Sequence, residues 1–298
     1  MAAPRHANAE FIDRMEFGLH SGYRLDFIDW NIAGNLGGQD INGLSEMDWN
    51  NLEIWQVGGS GKLAVGNDVT DYHTYIRASL DYGWLTEGGR VRDSEYSSNN
   101  PRMEIFRSNS GVADNDVFDA SIGLGFEKKY WQNRFVLGWL GGYSYHEQNL
   151  RTSGTIQSLS LNAPINVLDS TYENKWYGPF AGIDLELHPH PRFSLLGTAE
   201  YHWADYEGQA DWNLRNDLAH PLSFENQADS ADGLVGTLTG RYLFTNGWTI
   251  DLSFNYRNFS ATDGVARTFF ANGDATNNKL NEVKWKSYAT SLGLTRKF

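Results

Sequence analysis

The stretch Trp248-Thr249-Ile250-Asp251-Leu252-Ser253-Phe254-Asn255-Tyr256-Arg257 decides the fold. Trp248, Ile250, Leu252, Phe254 and Tyr256 take every second place, with Asp251, Ser253, Asn255 and Arg257 between them. A period of two belongs to a β-strand, whose successive side chains leave opposite faces of a sheet. This strand therefore has one apolar, aromatic-rich face and one face that carries charge. The same pattern recurs along the chain. Phe118, Ala120, Ile122, Leu124 and Phe126 alternate with Asp119, Ser121, Gly123, Gly125 and Glu127, and Ile76 to Trp84 and Phe17 to Phe27 behave alike. Further strands are expected at roughly 46 to 65, 134 to 147, 172 to 187, 192 to 212, 232 to 244 and 283 to 298.

A soluble β-sandwich also alternates, so the choice rests on what each face carries. Here the face opposite the aromatics holds Glu, Asp, Arg and His together with Gly, and aromatic residues gather near strand ends. That is the arrangement of a membrane barrel, with lipid outside, a polar lumen inside and aromatic girdles at the two interfaces. No stretch approaches the roughly 18 uninterrupted apolar residues of a membrane helix. A mean hydropathy of -0.51 does not oppose the membrane, because a barrel wall is apolar only at alternate positions.

The connections agree. Gly66 to Asp71, Lys128 to Asn133, His188 to Pro191 and Thr245 to Gly247 are short, whereas 33 to 46, 87 to 115, 148 to 171, 213 to 231 and 260 to 282 are long and polar. Strict alternation of short turns with long loops requires an even strand count with both chain ends on the short-turn side. The fold class is thus all-β: a transmembrane antiparallel barrel of about ten strands, with long extracellular loops and short periplasmic turns, in the bacterial outer membrane. Residues 10 to 298 form one domain. Residues 1 to 9, ending in Ala7-Asn8-Ala9, read as a signal remnant or an ordinary N-terminal tail. The terminal Phe298, with Leu292 and Leu294 on the same face, suits recognition by the barrel-assembly machinery.

A net charge of -13 excludes a nucleic-acid binder, which needs clustered Lys and Arg, and it favours basic partners. The absence of Cys excludes a disulfide framework and a thiolate metal site.

Several segments resemble the omptin family, outer-membrane aspartyl-type endopeptidases on ten-stranded barrels. They are Gly18 and Ser21-Gly22, Met47-Asp48-Trp49 with Asn51, Gly88-Gly89-Arg90-Val91-Arg92-Asp93-Ser94-Glu95-Tyr96, and the ending Leu292 to Phe298. Where omptins carry Asp-x-Asp-Trp, this chain has Asp93, Ser94, Glu95 and Tyr96. The resemblance implies a surface endopeptidase that cleaves near basic residues, with two acids on one side of a groove and an Asp-His pair on the other activating a water. It implies no cofactor, contact with outer-membrane lipid, and a requirement for lipopolysaccharide.

The residues themselves fit this in part. Asp93 and Glu95, two apart on a strand, share a face, and crowded carboxylates raise one another's pKa, which suits proton transfer. The same pair also suits a solvated acidic loop base. On the facing side an ungapped comparison places Asp211 at the omptin Asp but Asn213 at the His, and Asn takes no proton at neutral pH. A shifted comparison uses Asp217 and His220, whose spacing of three suits a bent loop rather than a straight strand. Asp26 matches an omptin acid that receives a basic substrate side chain; alternatively it pairs with Arg24 or Arg77 in the lumen. His202 with Glu200, and His20 with Glu16, read as lumen hydrogen-bond networks rather than metal sites. Besides the endopeptidase, two readings stay open: a noncatalytic surface-binding barrel or adhesin, and a narrow channel, for which ten strands leave little room.

Overall fold

The computed structural model describes residues 12 to 37, 43 to 66, 72 to 97, 100 to 158 and 165 to 298. The segment read as a signal remnant lies outside them. The strands are β1 (Ile12–Ile32), β2 (Ser45–Val65), β3 (Tyr72–Ser97), β4 (Asn100–Val112), β5 (Asp116–Tyr130), β6 (Phe135–Ser158), β7 (Ile165–His190), β8 (Phe193–Asp211), β9 (Phe224–Thr245), β10 (Trp248–Phe269) and β11 (Ala275–Lys297). All pairings are antiparallel, and β1 closes the ring by pairing with both β2 and β11. β4 and β5 are one stave interrupted at Ala113 to Asn115: both lie between β3 and β6. The eleven strands therefore make ten staves, as the alternation implied.

Among the described residues three turns set the short-loop end, at Trp131 to Arg134, at Pro191-Arg192 and at Asn246-Gly247. Gly247 has a φ of 72°, and a Cβ there would meet the Lys297 carbonyl oxygen at 2.7 Å, so the tight turn requires glycine. Around the wall, Leu124, Phe126, Leu252 and Leu292 remain 56 to 62% exposed, far more than a soluble core residue would, because they face lipid.

The long polar stretches are a correction to the sequence reading. Much of 87 to 115, 148 to 171 and 260 to 282 is strand that carries the barrel far beyond the membrane. Polarity inverts along each stave. In β1, Phe17, Leu19 and Tyr23 face outward, whereas Ile28 and Trp30, of opposite parity, are buried inward. β11 does the same, with Leu292 and Tyr288 outward and Trp285 and Val283 inward. Above the bilayer water replaces lipid, so the polar face turns out and the apolar face fills the interior.

That interior is layered. At the periplasmic end Arg14 donates to Glu186 at 3.0 Å and to Glu127 at 3.1 Å, and Arg241 donates to Glu16 at 2.7 Å. Higher up, Arg24 donates to Asp26 at 2.6 and 2.8 Å and to Asp119 at 2.6 Å. Charges with this little access to water are retained only when paired and hydrogen-bonded. Between these layers lies a lumen cavity of about 260 Å³ lined by Ser, Thr and charged side chains. Above it Phe259 stacks on Trp285 with centroids 5.1 Å apart, Trp176 meets Tyr206 at 4.5 Å, and Trp49 stacks on Tyr172 at 5.0 Å. Among the described residues this aromatic layer closes the lumen from the extracellular side. His202 accepts or donates within the network as expected, 3.1 Å from Glu200, but His20 pairs with Asp81 at 2.6 Å and not with Glu16.

Candidate functional site

On the aromatic layer, through Trp30 and Phe224 packed against Tyr172 at 6.2 and 5.9 Å, rests a cleft of about 570 Å³ at the extracellular end of the barrel. Asp93 and Glu95 line one side of it, side by side on the same face of β3 as their spacing required. Asp93 stands nine residues beyond the girdle residue Trp84, roughly 30 Å of extended chain, and so is clear of the bilayer. Gly88 and Gly89, with φ of 75° and 93°, make the irregularity that leads β3 into this segment. A Cβ on Gly89 would lie 2.6 Å from Val112, so the close approach of the neighbouring stave also demands glycine. Asp93 is flanked across the ladder by Met47 and Ser108. Burial among them, with the like charge of Glu95 beside it, pushes the Asp93 carboxyl up to about 7.

The other side is built by the segment from Trp212 to Ser223, which folds back over the end of β8. The Ser223 N–H donates to the Ala210 carbonyl at 2.7 Å, Trp212 N–H to Ser223 Oγ at 2.9 Å, and Ser223 Oγ to the Ala219 carbonyl at 3.0 Å. Ala219 N–H donates to Phe269 and Ala271 N–H to Asp217, which pin the segment to the tip of β10. This fold brings His220 back onto Asp211: His220 Nδ1 donates to Asp211 Oδ1 at 2.5 Å. Asp211 and His220 do not themselves line the cleft.

The structure therefore re-sorts the residues singled out in the sequence. Asp211 and His220 were each found, but in separate comparisons; the folded loop makes them one pair. Asp217 is not the partner of His220. Arg215 donates to it through Nε and Nη2, both at 2.9 Å, and these hydrogen bonds hold the Asp217 carboxyl down at about 2. Asn213 is structural, its Oδ1 accepting from the Asp169 N–H at 2.9 Å and from Ser170 Oγ at 3.1 Å. Asp26 is also displaced from its expected role. It has no solvent exposure, is held by Arg24, accepts from Trp285 Nε1 at 3.0 Å, and lies below the cleft floor. The sequence reading missed Arg215. Its guanidinium lines the cleft with Nη1 3.7 Å from Glu95, and its position two before Asp217 was the one available signal.

The sequence model of the Protochlamydia outer membrane protein family matches residues 18–298. The chain belongs to that family. None of the curated proteins compared matches this family member in sequence. In three dimensions it is similar to the outer membrane protease OmpT from Escherichia coli, with a TM-score of 0.76 at 14% identity, covering 99% of each chain. At that identity the likeness establishes a shared barrel fold and nothing about chemistry. The attachment invasion locus protein Ail of Yersinia pestis (13% identity, TM-score 0.31, covering 95% of this chain and 98% of that one) superposes too loosely to bear on the site. So does OprG of Pseudomonas aeruginosa (12%, 0.37, 95% of each). Family and fold together place this protein in the bacterial outer membrane, as the alternation implied.

Proposed function

We propose that this barrel is a surface endopeptidase in which a water is activated between the Asp93 and Glu95 pair and the Asp211 and His220 pair. The observation that carries the reading is the His220 to Asp211 contact on a loop whose Arg215 reaches the opposite acid pair. Asp211 fixes the imidazole with its Nδ1–H engaged, which leaves Nε2 as the basic nitrogen. Nε2 takes a proton as the water oxygen bonds to the scissile carbonyl carbon, then returns it to the leaving nitrogen as the C–N bond breaks. Asp93, whose carboxyl keeps its proton up to about pH 7, donates in that form to the oxyanion that develops.

The substrate is a peptide or an exposed protein segment. The basic preference that the resemblance implies loses its expected receptor, since Asp26 is buried. Lipopolysaccharide belongs in the assay because the resemblance implies that it is needed. The test is cleavage of a mixed peptide library by the protein refolded with lipopolysaccharide, followed by mass spectrometry, with Asp93→Ala as control. New termini that appear with wild type and vanish with the variant support the reading, and an uncut library overturns it. A noncatalytic binding barrel is the second reading, favoured by the Arg215 contact with Glu95 and by the absence of His220 from the cleft lining. It requires retention of peptide without cleavage.

A further inference from the structure

We infer that the cleft selects a bulky apolar side chain of its peptide, aromatic above all, and not a basic one. The inference rests on the preceding reading of the cleft as a peptide site, but not on cleavage.

The first ground is shape. Trp30, Met47 and Phe224 line the floor, and Trp212, Leu214 and Leu218 the wall. The rings already touch in the geometries that aromatic pairs prefer: Trp30 lies edge-on to Phe224 at 5.7 Å, and Trp212 stacks on Phe224 at 5.6 Å. An inserted aromatic ring extends this cluster.

The second ground is charge. Among the described residues the charged ones in the lining are Asp93, Glu95 and Arg215. Arg215 sits 3.7 Å from Glu95 and is anchored by Asp217, so a cation of the chain itself stands where a substrate cation would have to go. A basic side chain entering here must displace that guanidinium or be desolvated beside it. The acid that would have received it, Asp26, lies beneath Trp285 and is engaged by Arg24.

The third ground is unmet hydrogen bonding. Asn226, a floor residue with no solvent exposure, donates through Nδ2 to Tyr172 at 3.0 Å, but its Oδ1 has no partner among the described residues. The Trp30 indole N–H is likewise unpartnered. Buried polar groups are seldom left so, and a small side-chain adjustment around a bound phenol or peptide amide would satisfy them. An all-hydrocarbon lining would offer no such polar anchor.

The test is equilibrium binding, by fluorescence polarisation, of labelled Gly/Ser nonapeptides with one central Phe, Leu, Arg or Asp. The protein is held in lipid nanodiscs, with empty discs as the blank for lipid partitioning. The Phe peptide is expected to bind about tenfold or more tightly than the Arg peptide, a modest fraction of what complete burial of an aromatic side chain gives. Leu214→Asp, at a half-buried wall position, is expected to erase that preference with heat-modifiable mobility retained. Arg215→Gln is expected to improve the Arg peptide about tenfold relative to the Phe peptide. An Arg peptide that binds wild type as tightly as the Phe peptide, or a Phe preference that survives Leu214→Asp, overturns the inference. Cleft-dependent binding of Phe peptides without cleavage leaves the inference standing and removes the peptidase; preferential cleavage at Arg does the reverse.

Discussion

His220 Nδ1 lies 2.5 Å from Asp211 Oδ1, although nine residues and a folded-back loop separate them. Asp211 closes β8, so one member of the pair is fixed by the barrel wall and the other by the hydrogen bonds of Ser223. If this pair supplies the base, His220→Ala lowers cleavage by about 10²- to 10⁴-fold, the usual worth of a positioned acid or base. Asn213→Ala, in contrast, loosens the loop but leaves a measurable rate, because Asn213 holds the Asp169 and Ser170 segment. Steady-state kinetics on the two purified variants separates the roles.

The raised Asp93 pKa gives a pH dependence with a defined sign. The native carboxyl titrates near 7 and the unfolded one near 3.8, so the native state holds the proton more tightly between those values. The contribution of Asp93 to stability is therefore greatest below about pH 4, falls as the pH rises toward 7, and is flat above it. Cleavage falls over the upper part of the same range as Asp93 loses its proton. Glu95→Gln removes the like charge and shifts the descending limb to lower pH without abolishing it, since burial is the larger cause. Urea midpoints from pH 4 to 8 for wild type and Asp93→Asn check the stability arm; the variant loses that slope.

Asp26 separates a structural role from a substrate-binding one. Asp26→Ala leaves the buried Arg24 guanidinium short of a partner, which typically costs about 3 to 5 kcal/mol. The temperature of heat-modified gel mobility should drop. Peptide preference among the molecules that remain folded should not change, because Asp26 lies under Trp285 and away from the cleft.

Much of this fold was legible in alternation alone. Trp248 to Arg257 announces a strand with a lipid face, and nine further staves can be traced by the same rule or by their turns. The inversion of polarity was also present, in the switch from odd apolar positions at Phe17, Leu19 and Tyr23 to even ones at Ile28 and Trp30. It was read as strand ending in loop because the outward residues beyond it are polar, although water outside a barrel calls for polar residues as surely as a loop does. At the site, Asp93 and Glu95 were readable because two residues on one strand obey a local rule. The partnership of His220 was not, since it depends on how Trp212 to Ser223 folds against β10, which no periodicity encodes. Burial of Asp26 depends on Trp285, 259 residues away.

Orientation in the membrane is checked by epitope insertion. A tag beside Gly273, in the turn between β10 and β11, is expected to be detected on intact cells, and one beside Asn246 only after the outer membrane is permeabilised. Neither site interrupts a ladder, so both insertions should be tolerated.

The claim that two side-chain pairs act on one water is tested most directly by a double-mutant cycle on peptide cleavage with Asp93→Ala, His220→Ala and the double variant. Groups that serve one step are strongly non-additive, so the double variant is predicted to be little slower than the slower single variant. If the two losses instead multiply, or if His220→Ala cuts as fast as wild type, Asp93 and His220 do not share a reacting water and the account of the site is wrong.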